Sequence, residues 1–180
     1  LVIGSHLGVY AIVTVGVIKN IDQLAKKAYQ KNNHFSEISA GEINPTELIA
    51  TLINDEKSFV DGLKNVQESI EGSCSVLLLT AEGIYASRDK LGRTPIIAGS
   101  RDGAYAVSME TCAFPNLDFK VEKYLGPGEI VLLDDTGIHQ KKAPGKEMQI
   151  CSFLWVYYGY PASSYEDINV EYVRYRCGAN

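Results

Sequence analysis

The sequence predicts an α+β domain, and three observations carry that expectation. Apolar residues recur at helical spacing in three stretches before Ser73. From Ser73 onward they fall instead into short strand-like runs separated by Gly and Asp turns. The chain has 180 residues, 46% hydrophobic and 22% charged, which suits one soluble domain with a real core. Helices first and consecutive strands after them describe antiparallel sheet with segregated helices.

The elements follow in order. Val9 to Val15 is β-branched and mostly apolar, a strand. Asn20 is placed to cap a helix whose inner face is Ile21, Leu24, Ala25 and Ala28, and the polar stretch Gln30 to Asn33 ends it. Asn44-Pro45-Thr46-Glu47 is a helix start, with Asn at the cap, Pro in the first turn and Glu three residues on. Leu48, Ile49, Leu52 and Ile53 form its buried stripe. A third helix turns Phe59, Val60, Leu63, Val66 and Ile70 inward, with Gly72 expected to close it. Strands are expected over 74–80, 83–87, 95–99, 104–108, 129–134, 138–140 and 150–158, with Asp135-Thr136-Gly137 as a hairpin turn and Asp134 and Asp135 capping it. Asn169 then caps a final helix over 170–177.

Charge and composition exclude some functions. A net charge of −5 argues against a general nucleic-acid or membrane-surface binder. The longest apolar runs, Ala11-Ile12-Val13 and Val76-Leu77-Leu78-Leu79, are too short to span a bilayer. The cysteines are Cys74, Cys112, Cys151 and Cys177; none forms a CxxC pair, which fits a reducing cytoplasm better than a disulfide scaffold. Leu1-Val2-Ile3 has no basic leader, and the apolar opening leads us to expect the true N-terminus upstream.

The run Arg88-Asp89-Lys90-Leu91-Gly92-Arg93-Thr94-Pro95-Ile96 lies between two apolar segments. Glu110-Thr111-Cys112-Ala113-Phe114, Pro127-Gly128-Glu129-Ile130 and the aromatic stretch Cys151 to Ser164, which ends in Pro161-Ala162-Ser163, follow it. Together these resemble the class II glutamine amidotransferase domain, and within that group the amidophosphoribosyltransferases. The Arg-Asp-x-x-Gly turn alone is shared with asparagine synthetase and glucosamine-6-phosphate synthase; the distal aromatic and Pro-Ser pieces favour the purine enzyme.

The resemblance implies a partial Ntn-hydrolase-like fold, a four-layer αββα sandwich of antiparallel sheets. It implies a domain over 1–168 and, over 169–180, the start of a linker helix toward a C-terminal phosphoribosyltransferase domain. It implies a cytoplasmic, homo-oligomeric protein whose partners are glutamine and phosphoribosyl pyrophosphate, with Mg2+ and a 4Fe-4S cluster as cofactors of the full-length protein. In that family an N-terminal Cys attacks the glutamine amide, with the free α-amine as proton acceptor, and an Asn side chain and a Gly N–H hold the oxyanion. The released ammonia displaces pyrophosphate to give phosphoribosylamine.

Residue by residue, the oxyanion pair falls on Val15-Gly16. Gly16 retains an N–H, whereas Val15 has no side-chain donor; loss of one such donor typically costs about 3 kcal/mol of transition-state stabilisation. The glutamine-gripping Asp falls at Pro45, beside Asn44, the substrate-binding candidate. Thr94 stands where the family has Arg before Pro. No Cys begins the chain, so residues 1–180 are expected to lack glutaminase activity by themselves. Cys151 matches an iron–sulfur ligand position, its companions falling outside this chain. These departures sustain two alternatives: a scaffold or regulatory domain that has lost glutaminase chemistry, and a different class II amidotransferase.

Blander readings apply to other residues. Arg88 and Asp89, read as an exposed pair, fix their turn; Gly126-Pro127-Gly128 leads into a strand and is a turn, not a phosphate cradle. Cys74, Cys112 and Cys177 read as packing residues, and a lone Cys such as Cys151 is most often buried and structural. His6, His34 and His139 are scattered and assemble no catalytic set. Trp155, Tyr157, Tyr158, Tyr160 and Tyr165 read as core packing and a domain or subunit contact.

Overall fold

In the strand Gly8–Ile18 successive side chains leave opposite faces, as in any strand. Tyr10 and Ile12 point to a helical layer and are fully buried, and the odd-numbered valines point the other way. That alternation sets the layers of the molecule. The computed structural model describes residues 1–31, 33–35, 38–39 and 42–179; Asn32 and Asn180, in the expected helix end and linker, lie outside them.

The strands are β1 (Val2–Ser5), β2 (Gly8–Ile18), β3 (Ile38–Ser39), β4 (Glu42–Ile43), β5 (Gly72–Thr80), β6 (Gly83–Ser87), β7 (Ile97–Arg101), β8 (Ala104–Ser108), β9 (Lys120–Tyr124), β10 (Ile130–Asp134), β11 (Gly137–Lys142), β12 (Ser164–Tyr165) and β13 (Ile168–Asn169). The helices are α1 (Ile21–Gln30), α2 (Pro45–Asn54), α3 (Phe59–Ser69) and α4 (Val170–Gly178). A six-stranded sheet runs β1-β2-β5-β6-β10-β11 and a three-stranded sheet runs β8-β7-β9, every pairing antiparallel.

Helices α1 to α3 cover one face of the large sheet. Leu48, Ile49, Ile53, Leu63 and Val66 meet Tyr10, Ile12, Val76, Leu78 and Ile130 there. Burying each large aliphatic side chain contributes about 1.5–3 kcal/mol, so this face supplies most of the apolar drive. The small sheet packs on the opposite face, where Ile96, Ala98 and Leu125 meet Ala86, Val131 and Leu133. Its outer side is covered at Gly99 by Phe114, between two 3₁₀ turns. The expected α+β architecture of stacked antiparallel sheets is therefore present, with the outer fourth layer only sketched by those turns among the described residues.

Asn44 caps α2, accepting the Thr46 N–H at 2.9 Å, and Asn169 caps α4, accepting the Tyr172 N–H at 3.0 Å. Four local expectations need correction. Asn20 does not cap α1; its side chain donates to Ser69 O and accepts from Glu71 N, both at 2.9 Å, and so holds the end of α3. Gly72 does not close α3, which ends at Ser69; it opens β5 at φ +125°, where a Cβ would lie 2.1 Å from Val17 O. The segment 95–99 extends only from Ile97, since Thr94 and Pro95 belong to the preceding turn.

The fourth correction is the largest. Residues 150–158 form no strand; Leu154–Tyr158 is one turn of π-helix, closed by Gly159 N–H donating to Leu154 O at 2.7 Å. Arg174 of α4 donates to the carbonyls of Trp155, Tyr157 and Gly159, each at 2.9 Å. A guanidinium thus takes the place of sheet neighbours, and packing of Leu154 and Trp155 on Tyr165 and Val170 overrides the strand propensity. The expected division at 168/169 falls inside the β12–β13 hairpin. Among the described residues no helix is long and apolar enough to cross a membrane.

Candidate functional site: the Val15–Gly16 strand end and the Arg88–Thr94 turn

Arg88 and Asp89 are both buried, not exposed, and each serves the turn. Arg88 donates to Thr94 O at 3.2 Å, to Gly92 O at 2.7 Å, to Leu125 O, and to the Glu166 carboxylate at 2.7 Å. Asp89 accepts the N–H groups of Leu91 at 3.2 Å and Thr94 at 2.9 Å. Gly92 sits at φ +66°, and a Cβ there would press on the Arg88 side chain at 3.3 Å, so both backbone and packing favour glycine. Gly126-Pro127-Gly128 is also a turn: Glu129 N–H donates to Gly126 O at 3.1 Å, and Gly128 N–H donates to Asp89 O at 2.8 Å. The blander reading of the run holds, in a buried setting.

Beneath this turn lies β5. The Ser75 hydroxyl accepts the Asp89 N–H at 3.2 Å and donates to Thr94 O at 3.4 Å. Across the sheet Ser75 pairs with Val15, and Cys74 with Gly16. A Cβ on Gly16 would lie 2.0 Å from Ser73 O, so the strands approach too closely for any other residue. Gly16 therefore has a packing reason to be glycine besides any role for its N–H.

The start of α2 adjoins this strand end. Thr14 Oγ1 and Thr46 Oγ1 share a hydrogen bond of 2.7 Å across 32 residues of sequence. Gly16 and Asn44, the two candidates for glutamine chemistry, thus belong to adjacent elements. Sequence reasoning missed the threonine pair; nothing local marks a bond between a strand residue and a distant helix start. Val15 turns to the other face, into an apolar groove of about 60 Å³ with Val13, Leu77, Ile96, Val107 and Met109.

The cysteines stand apart. Cys74 is buried, and burial, with Asp89 nearby, pushes its thiol up to about 12, so it carries no thiolate near neutral pH. Cys112 is half-buried and its Sγ contacts Glu110 at 3.4 Å. That carboxylate also accepts from Ser163 at 3.0 Å and Tyr165 at 3.1 Å, joining the C-terminal segment to the core. Cys151 and Cys177 are exposed, against the expectation of buried, packed thiols; Cys151 is held by its backbone, its N–H donating to Arg93 O at 3.3 Å and its carbonyl accepting the Leu154 N–H at 3.1 Å. Among the described residues no three His, Cys, Asp or Glu side chains are grouped to hold a metal ion. A single thiol cannot hold a cluster by itself, and the exposed Cys151 would need companion ligands from outside residues 1–180.

The histidines form no relay. His139 Nε2 faces both Asp134 Oδ1 at 3.0 Å and Thr136 Oγ1 at 2.9 Å, so one ring nitrogen meets acid and hydroxyl alike. Asp134 caps the hairpin turn as expected, and its hydrogen bonds from Thr136 hold its carboxyl down at about 2, His139 adding to the effect. Trp155 and Tyr165 pack in the C-terminal core, whereas Tyr157, Tyr158 and Tyr160 are exposed.

With this geometry in place, the comparisons decide the family. Residues 2–116, well over half of the chain, match the glutamine amidotransferase domain. The chain belongs to that family. An amidophosphoribosyltransferase of Archaeoglobus fulgidus is 25% identical over 178 residues, covering 98% of this chain and 39% of that protein. One from Bacillus subtilis is 28% identical over 174 residues, covering 95% and 36%. The solved glutamine phosphoribosylpyrophosphate amidotransferase of B. subtilis, complexed with ADP and GMP, superposes with a TM-score of 0.83 at 27% identity, covering 94% and 37%. This amidotransferase-family chain thus spans less than two-fifths of the length of these relatives.

Proposed function

We propose that residues 1–180 are the glutaminase-type domain of an amidophosphoribosyltransferase. The whole protein takes ammonia from glutamine and uses it to displace pyrophosphate from phosphoribosyl pyrophosphate, with a phosphoribosyltransferase domain downstream and a cytoplasmic setting. One observation carries the reading: the likeness does not stop at residue 116 but takes in 98% of the chain in the A. fulgidus relative, the Pro161–Ser163 turn included. The Arg88–Thr94 turn by itself favours no one amidotransferase; the C-terminal segment that docks on it does. In this reading magnesium serves the pyrophosphate substrate.

Within the domain, the Gly16 N–H is the remaining oxyanion donor, and the Thr14–Thr46 bond fixes its distance from the start of α2. The test is pyrophosphate release from phosphoribosyl pyrophosphate by the whole gene product supplied with ammonium. Release supports the reading; its absence sinks it. A second reading, a scaffold that has lost glutaminase chemistry, is favoured by Val15, whose side chain lines an apolar groove where an amide donor would be needed. Transfer from ammonium but none from glutamine would establish that second reading.

A further inference from the structure

Gln67 ties α3 to the turn beside it. The residue is 3% exposed, and its Nε2 donates to Ser87 Oγ at 2.9 Å, Arg88 O at 3.0 Å and Gly128 O at 3.2 Å. With the amide nitrogen so engaged, the amide oxygen is left for Lys142, whose Nζ donates to it. Lys142 closes β11, and the register shifts there: Ile130 pairs with Lys142 but Val131 with Gln140. Such a bulge bends a strand and re-aims the side chains beside it. Lys142 lies half-buried against α3 as a result.

An ammonium in such a setting ordinarily takes a carboxylate. Among the described residues Lys142 makes no ion pair; its acceptor is a neutral amide. The charges around it are mostly of its own sign. Lys64, one turn before Gln67 on α3, and Lys90 both repel it, and Glu68 opposes them. Asp61 pairs with Lys64 at 3.2 Å. Lys90 Cα and Gln67 Oε1 lie 3.6 and 3.7 Å from the point a Cβ on Gly128 would occupy, so the turn brings Lys90 to the same place.

Two chemical properties follow from this crowding. Burial first, and then the Lys64 and Lys90 ammoniums against the pull of Glu68, hold the Lys142 amine below the usual lysine range. A lysine that gives up its proton more readily is a better nucleophile near neutral pH. The three charges also make a seat for an oxyanion, because an anion among them offsets their mutual repulsion.

We propose that Lys142 is an acylation site, and that Lys64 and Lys90 hold the phosphate end of an acyl phosphate beside it. The neutral Lys142 Nζ attacks the acyl carbon. The N–C bond forms, the C–O bond to phosphate breaks, and its electron pair leaves with the phosphate, which also takes the proton lost from nitrogen. The products are an amide and inorganic phosphate, with no change in oxidation state. One of three converging charges is removed, and the acylated nitrogen keeps an N–H for Gln67 Oε1. The site owes nothing to glutamine or to phosphoribosyl pyrophosphate turnover.

Peptide mapping by mass spectrometry tests the proposal on the whole gene product near neutral pH. Acetyl phosphate is the anionic reagent and the N-hydroxysuccinimide ester of acetic acid the neutral one; the exposed Lys26 and Lys57 are the reference amines. We expect the ester to acetylate Lys142 at least about threefold faster than either reference, despite its burial. With acetyl phosphate the margin should widen at least about threefold again. Lys64→Gln with Lys90→Gln should remove that extra margin. Inorganic phosphate should slow the acetyl phosphate reaction saturably, and chloride at matched ionic strength should not. Labelling of Lys142 no faster than the references overturns the proposal. Equal margins with the two reagents, or equal protection by phosphate and chloride, overturn it as well, since no oxyanion would then be held.

Discussion

The Arg88–Thr94 turn and the Val15–Gly16 end of β2 meet at Ser75, yet they are built on different terms. In the turn, Arg88 and Asp89 satisfy carbonyls and N–H groups throughout, and Glu166 compensates the buried guanidinium. Removing any one part leaves buried polar groups without partners, so the turn resists change. At Val15 the constraint is weaker. The strand pairing fixes Gly16 by backbone crowding, but the neighbouring side chain only has to be apolar on one face. The first region therefore tolerates few side chains, whereas the Val15 position admits any apolar one that fits the groove.

The largest expected effect attacks the turn. Arg88→Met leaves the Leu125, Gly92 and Thr94 carbonyls and the Glu166 carboxylate without their donor. We expect a loss of about 3–5 kcal/mol in urea unfolding; a loss under about 1 kcal/mol would show the network to be ornamental. Next comes the strand crossing. Gly16→Ala should cost about 1–3 kcal/mol, because its Cβ would need Ser73 to move. Gly4→Ala, where nothing lies within 4 Å, should stay within about 0.5 kcal/mol. Equal costs at the two sites would contradict the crowding argument.

A smaller effect comes from pH. The Cys74 thiol is raised from 9.0 to about 12, chiefly by burial. The unfolded chain loses this proton first, so the stabilisation is complete below about pH 9 and falls as pH climbs toward 12. Cys74→Ala should flatten part of that alkaline loss in a series of urea melts. An unchanged slope would place the titration elsewhere, in the buried tyrosines that titrate in the same direction.

What the sequence made legible follows the same division between local and distant causes. The α2 cap at Asn44-Pro45, the hairpin at Asp134–Gly137 and the β-branched run of β2 are written in neighbouring residues, and all were readable. The strand β9, Lys120–Tyr124, went unread because its alternating charges hide an edge strand. The π-turn at Leu154–Tyr158 depends on Arg174, and Asn20 was drawn from its cap by groups near Ser69. The Arg88–Glu166 contact spans 78 residues and the Thr14–Thr46 bond 32, separations that no periodicity records. The candidate site was legible as a resemblance at Val15, Gly16 and Asn44; the threonine pair that joins their elements was not.

The amidotransferase fold is present, and the central proposal is that Val15 stands in the place of one oxyanion donor. Its most direct measurement is the rate of pyrophosphate release by the whole gene product with saturating glutamine and, separately, with ammonium. We predict a glutamine-supported rate roughly a hundredfold below the ammonium-supported one, with Val15→Asn raising the glutamine rate alone. Equal rates with both nitrogen sources, or a fall in the glutamine rate on Val15→Asn, would contradict the assignment of Val15.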